Sequence, residues 1–164
     1  LAAGERLTMD YNLITPQPLR PGWGVIYQGG TPDDEIRVIP APLVLVCLRE
    51  NENYDRFIDS KRIYAILVHT IMDEPQAALP DDVYFALMKV AFGYLKRGFN
   101  LYIHCAAGHS RSGYLTVGMI SRVLDFPVSD ALAWIRQRRQ GCCPNSGFWE
   151  HLIRLEPRLR SGGV

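Results

Sequence analysis

Apolar positions along the 164-residue chain fall into two kinds of block. Residues 43–48 (LVLVCL), 63–68 (IYAILV) and 99–103 (FNLYI) are short, nearly continuous apolar runs. Runs of that length and density predict strands buried on both faces. Residues 25–28 (VIYQ), followed by Gly29-Gly30, read as another short strand ending in a turn. Between and after these runs the spacing becomes helical. Pro80-Asp81-Asp82 opens one helix, with acids in its first turn, and Val83, Phe85, Leu87, Met88, Val90 and Ala91 follow before Gly98 ends it. Residues 111–123 read as a buried helix. Residues 129–139 form another, with Ser129 as N-cap, an apolar stripe of Ala131, Leu132, Trp134 and Ile135, and basic residues in the last turn. A last amphipathic helix covers 148–159, with Trp134, Phe148 and Trp149 expected in the core.

Buried strands alternating with helices predict an α/β fold: a single layered domain with a mostly parallel central sheet flanked by helices. Residues 1–22 are rich in proline and turn formers and read as an extended lead-in wrapping a surface, which leaves the domain proper at 23–164. No repeat, low-complexity tract or linker divides the chain.

Composition narrows the function classes. A net charge of +1 gives no footprint for nucleic acid or an acidic membrane surface, and no apolar run is long enough to span a bilayer. Arginine far outnumbers lysine, which suits carboxylate or phosphate partners. Cys47, Cys105, Cys142 and Cys143 match no zinc spacing, so neither metal nor cofactor is expected. Free thiols fit a reducing compartment, cytoplasmic or nuclear.

The chemistry gathers in 103–113, IHCAAGHSRSG, between the third buried run and the apolar helix. Cysteine followed six positions later by arginine is weak by itself. Here the five residues between, Ala106, Ala107, Gly108, His109 and Ser110, are small or polar, a strand feeds the loop and a helix leaves it. Such a loop can turn successive backbone N–H groups toward an anion, over the positive end of the helix. Arg111 would offer a planar fork to two phosphate oxygens, and the same field favours a thiolate at Cys105. Ser112 is placed to donate a hydrogen bond to that thiolate, and Gly108 supplies the backbone freedom a tight loop needs.

HCAAGHSRSG resembles the signature loop of the protein tyrosine phosphatase superfamily, and in particular its dual-specificity branch. Pro144-Asn145-Ser146-Gly147-Phe148, with Leu152 and Glu156, resembles the family's segment after its penultimate helix, and ALAWIRQRR resembles that helix. The resemblance implies a dual-specificity phosphatase-like fold. It also implies a phosphocysteine on Cys105, phosphate held by residues 106–111, a general acid on the loop 69–75, and support from His104, Ser112 and Asn145. Asp73 is the preferred acid, Glu74 its competitor, and Asp81 and Asp82 are helix-start acids. Phosphorylated proteins are the expected substrates. A phosphoinositide or RNA 5′ phosphate is the alternative, although Ala106, Ala107 and His109 stand where lipid-directed relatives often carry lysine. A phosphate-binding module without turnover is the third reading. Arg136, Arg138 and Arg139 read as helix C-terminal cations facing water, ahead of the alternative of a basic rim for acidic or multiply phosphorylated substrates. Cys47 reads as packing, and Cys142 or Cys143 as a candidate partner for an oxidised Cys105.

Overall fold

In the computed structural model, residues 10–50, 53–58 and 61–162 are described. Five strands, β1 (Tyr11–Leu13), β2 (Ile26–Gly29), β3 (Leu43–Cys47), β4 (Ile63–Val68) and β5 (Asn100–His104), form one sheet in the order β1-β2-β5-β3-β4. β2, β5, β3 and β4 run parallel, and β1 pairs antiparallel with β2 through Tyr11 and Gly29. The predicted single α/β layer, mostly parallel and flanked by helices, is therefore observed.

Alternation along the central strands builds two cores. Val44 and Val46 of β3 and Leu101 and Ile103 of β5 face the larger core, beneath α2 (Asp81–Lys96), α3 (Arg111–Leu124), α4 (Val128–Arg136) and α5 (Ser146–Ser161). Leu43, Leu45 and Tyr102 face the smaller one, with Ile36 from the 3-10 segment Asp34–Val38, Ile39 just after it and Phe57 from the short helix α1 (Asp55–Ile58). Every β3 residue is buried, as its unbroken apolar run predicts. β4 departs from the same prediction: Tyr64 and Val68 are more than half exposed, because β4 lies at the edge of the sheet. An apolar run reports hydrophobicity, not lateral position.

Three helix and strand expectations need correction. Part of the 1–22 lead-in is the edge strand β1. Gly29 belongs to β2 rather than to a turn. α4 starts at Val128 after Pro127, so Ser129 lies inside the helix, and the helix ends at Arg136. Proline at the boundary presets its φ and outcompetes the serine as the start signal. Phe148 is fully buried and stacks on Tyr114 with ring centroids 4.5 Å apart, while Trp134 and Trp149 are half-buried against the larger core.

The central strand β5 ends where the chain turns into α3. Ligands of open parallel sheets bind outside the carboxyl ends of the strands, and that is where the cysteine loop stands.

Candidate active site

The loop begins with His104, whose ring is fully buried. Its Nε2 is 3.0 Å from the Tyr54 hydroxyl, and Nδ1 is 3.4 Å from the Cys105 carbonyl oxygen. Burial pushes the imidazole pKa down to about 4, so the ring is neutral at physiological pH. Cys105 follows, 2% exposed, with Sγ 3.4 Å from Ser112 Oγ at the start of α3. Ala106, Ala107 and His109 are exposed while Gly108 is buried. Gly108 adopts φ +71°, and a Cβ there would lie 2.2 Å from the carbonyl carbon of Gly29. Glycine is required twice over, by backbone sign and by space.

Arg111 is the first residue of α3 and is almost fully buried. Its Nη1 donates to Glu50 Oε2 (2.8 Å) and to the Ile71 carbonyl (3.0 Å). Its Nε is buried and has no hydrogen-bond partner. Buried N–H groups are almost always paired, and an orphan on a guanidinium is a ready donor to an oxyanion. The Glu50 backbone N–H above all, helped by Arg111, holds the Glu50 carboxyl below its ordinary range, although desolvation opposes them.

Asp73 lies on the segment between β4 and α2. Its Oδ1 accepts from Ser110 Oγ (2.6 Å) and Asn145 Nδ2 (3.0 Å), so the carboxylate stands over the cysteine loop. Glu74 instead accepts from Gln76. Asn145 caps α5, its Oδ1 accepting from the Phe148 N–H (3.0 Å), and its own N–H donates to Ser110 Oγ (3.0 Å). Cys105, Arg111, Asp73, Ser110, Ser112, His104 and Asn145 are thus brought together by β5, α3, α5 and the acid segment. Asp81 behaves as a helix-start acid that also gathers His151, Arg154 and Arg158. Among the described residues no His, Cys, Asp and Glu cluster is disposed to hold a metal, and no helix is long and apolar enough to cross a membrane.

The family profile for the dual specificity phosphatase catalytic domain matches residues 29–158. The chain belongs to that family. Among curated relatives of this dual-specificity phosphatase domain, rat dual specificity protein phosphatase 18 is 38% identical over 89 residues, which is 54% of this chain and 43% of the relative. Human dual specificity protein phosphatase 14 is 35% identical over 91 residues, 54% of this chain and 44% of the relative. The matched region thus spans less than half of those relatives. Among solved structures, PTPMT1 in complex with PI(5)P superposes with a TM-score of 0.71 at 17% identity, covering 92% of this chain and 96% of that one. Human DUSP28 gives 0.65 at 18%, covering 92% and 98%. At those identities the likeness is one of fold.

Four contributors to this candidate site were not anticipated from the sequence. Glu50 and Tyr54 follow β3 in an unremarkable polar stretch, and nothing local marks them. Gln28 is fully buried in β2 and donates through Nε2 to the Gly108 carbonyl (3.0 Å); a glutamine ending an apolar run was its only signal. Arg139 overturns the reading of three water-facing cations: it is 6% exposed and donates through Nε to the same carbonyl (2.7 Å). Arg138 does lie on the surface side, over the Trp134 ring. Cys142 is buried against Gln28, its thiol pushed up by desolvation, and Cys143 is exposed; all four cysteines are free.

Proposed function

We propose that this domain hydrolyses phosphomonoesters in proteins, on phosphotyrosine and on phosphoserine or phosphothreonine, through a phosphocysteine on Cys105. The observation that carries the reading is the pairing, in one loop, of a buried cysteine with a buried arginine whose Nε lacks a partner. The Arg111 fork and the amides of 106–111 bind the phosphate oxygens. Sulfur attacks phosphorus, the bond to the ester oxygen breaks, and Asp73 donates its proton to the leaving oxygen. Asp73, now a carboxylate, takes a proton from water as that water attacks the phosphocysteine. The thiolate then leaves with the Ser112 hydroxyl donating to it, and inorganic phosphate is released. Asp73 rather than Glu74 is supported by its contacts with Ser110 and Asn145, which hold it at the loop.

The test is hydrolysis of an aryl phosphate without added metal, comparing the parent with Cys105→Ser, Arg111→Lys and Asp73→Asn. Loss of turnover in the first two and a drop of about a hundredfold in the third are expected. Turnover surviving Cys105→Ser would sink the mechanism. Phosphate release from phosphotyrosine and phosphothreonine peptides, set against a phosphoinositide and a 5′-phosphorylated RNA, then assigns the substrate class.

A further inference from the structure

We propose that the edge strand β1, with Asp10 just before it, is part of the phosphate-binding apparatus: Asp10 and Asn12 hold Arg139, and Arg139 fixes the peptide groups of the cysteine loop. The proposal rests on the phosphatase reading above and concerns how its cradle is kept in shape. The Arg139 guanidinium is sandwiched between two partners. On the loop side, Nε donates to the Gly108 carbonyl (2.7 Å) and Nη2 to the Ala107 carbonyl (2.9 Å). On the strand side, Nη2 donates to Asp10 Oδ1 (3.0 Å), and Nη1 donates to Asn12 Oδ1 (2.9 Å) and, at 3.5 Å, to the Asp10 carbonyl.

The consequence follows from peptide geometry. In a trans peptide unit the carbonyl and the next residue's N–H point in opposite directions. With the carbonyls of Ala107 and Gly108 both drawn toward Arg139, the N–H groups of Gly108 and His109 point away from it, as an anion cradle requires. Free peptide units in a short, glycine-containing loop would otherwise reorient. Gln28 supplies one further donor to Gly108 but none to Ala107, so among the described residues the guanidinium fork alone ties both units together. A buried arginine is itself costly unless paired and hydrogen-bonded. Asp10 supplies the countercharge, and Asp10 is fixed in turn because its carbonyl accepts the Gly30 N–H (2.9 Å) beside the Tyr11–Gly29 register. Arg139 is therefore a positioning residue, and β1 is what makes its position definite.

The experiment compares the parent with the Asp10→Ala/Asn12→Ala double variant and with Arg139→Lys, which keeps the charge and loses the fork. Four quantities are read: vanadate affinity, kcat and KM for an aryl phosphate, the pH midpoint for iodoacetate alkylation of the Cys105 peptide, and the thermal midpoint. For the double variant, vanadate affinity should fall about tenfold, as expected when hydrogen bonds to a charged group are lost. KM should rise more than kcat falls, and the alkylation midpoint should move up as the amides stop facing the sulfur. Arg139→Lys should lose affinity in the same way. A purely structural role would lower the thermal midpoint and leave vanadate affinity and the alkylation profile where they were. That result in the double variant overturns the proposal even if Arg139→Lys fails to fold. A parent that neither turns over nor binds vanadate removes the phosphatase reading and this proposal together, whereas an active parent with parent-like variants removes this proposal alone.

Discussion

His104 should make the fold acid-sensitive in a pH window of its own. The ring is fully buried and neutral, with a pKa of about 4 against 6.5 for an ordinary histidine. The unfolded chain therefore takes up the proton first. His104's contribution to stability is complete above pH 6.5 and is lost as pH falls from 6.5 toward 4. With those two values, going from about pH 7.5 to about pH 5 costs roughly 2 kcal/mol. The other groups with displaced acid pKa values, Asp81 and Glu50, are carboxyls held below their ordinary range, so their contributions fade only at lower pH. The assay is urea unfolding at both pH values, for the parent and for His104→Asn, which does not titrate. At a slope of about 2 kcal/mol per molar, the parent midpoint should drop by roughly 1 M more than the variant's. Parallel drops in the two proteins would show that His104 is not held neutral by burial and would refute the argument.

Three further outcomes follow from packing and charge. Phe148→Ala removes a fully buried ring stacked on Tyr114, and should cost about 3–5 kcal/mol in urea or thermal unfolding. Asp81→Asn loses the countercharge shared by Arg154 and Arg158; the thermal midpoint should fall at low salt, and the fall should shrink at high salt. Gly108→Ala places a methyl against the Gly29 carbonyl carbon and strains the backbone by about 1 kcal/mol or more at φ +71°, so vanadate affinity in a titration should collapse.

The sequence carried the layer order better than the edges. β3 and β5 were legible because both faces of a central parallel strand are buried, and that leaves a continuous apolar run. β1 was not, since a three-residue edge strand owes its existence to pairing with β2 rather than to its own hydrophobicity. Cys105 and Arg111, the proposed nucleophile and phosphate fork, stood out because they share one contiguous loop whose chemistry and spacing are local. The groups around that loop come from everywhere else: Gln28, Glu50, Tyr54, Arg139, the strand residue Asn12 and Asp10 just before it. Each acts across the fold, and a buried arginine such as Arg139 has the same local sequence as one that faces water. Asp73 lies between these cases: resemblance proposes it as the acid, and what each carboxylate touches supports that proposal over Glu74.

Those distant supports also divide the site into two parts that can be perturbed separately. The cradle is held from the β1 side by Arg139, whereas the proposed acid Asp73 is held by Ser110 of the loop and from the α5 side, where Asn145 grips it and the helix start packs on the segment Pro75–Ala77. Gly147 is the contact point: a Cβ there would fall 1.7 Å from the Pro75 carbonyl oxygen and 2.4 Å from its carbon. Both are backbone atoms, so no side-chain rotation relieves the overlap, and Gly147→Ala must push the acid segment outward. Asp73 would move with it, two residues away, while Arg139, Gln28 and the loop carbonyls keep their bonds. Kcat for aryl phosphates should therefore fall with vanadate affinity unchanged, and the loss should be largest for poor leaving groups, which depend most on proton donation. An equal loss of vanadate affinity would mean that cradle and acid move as one body.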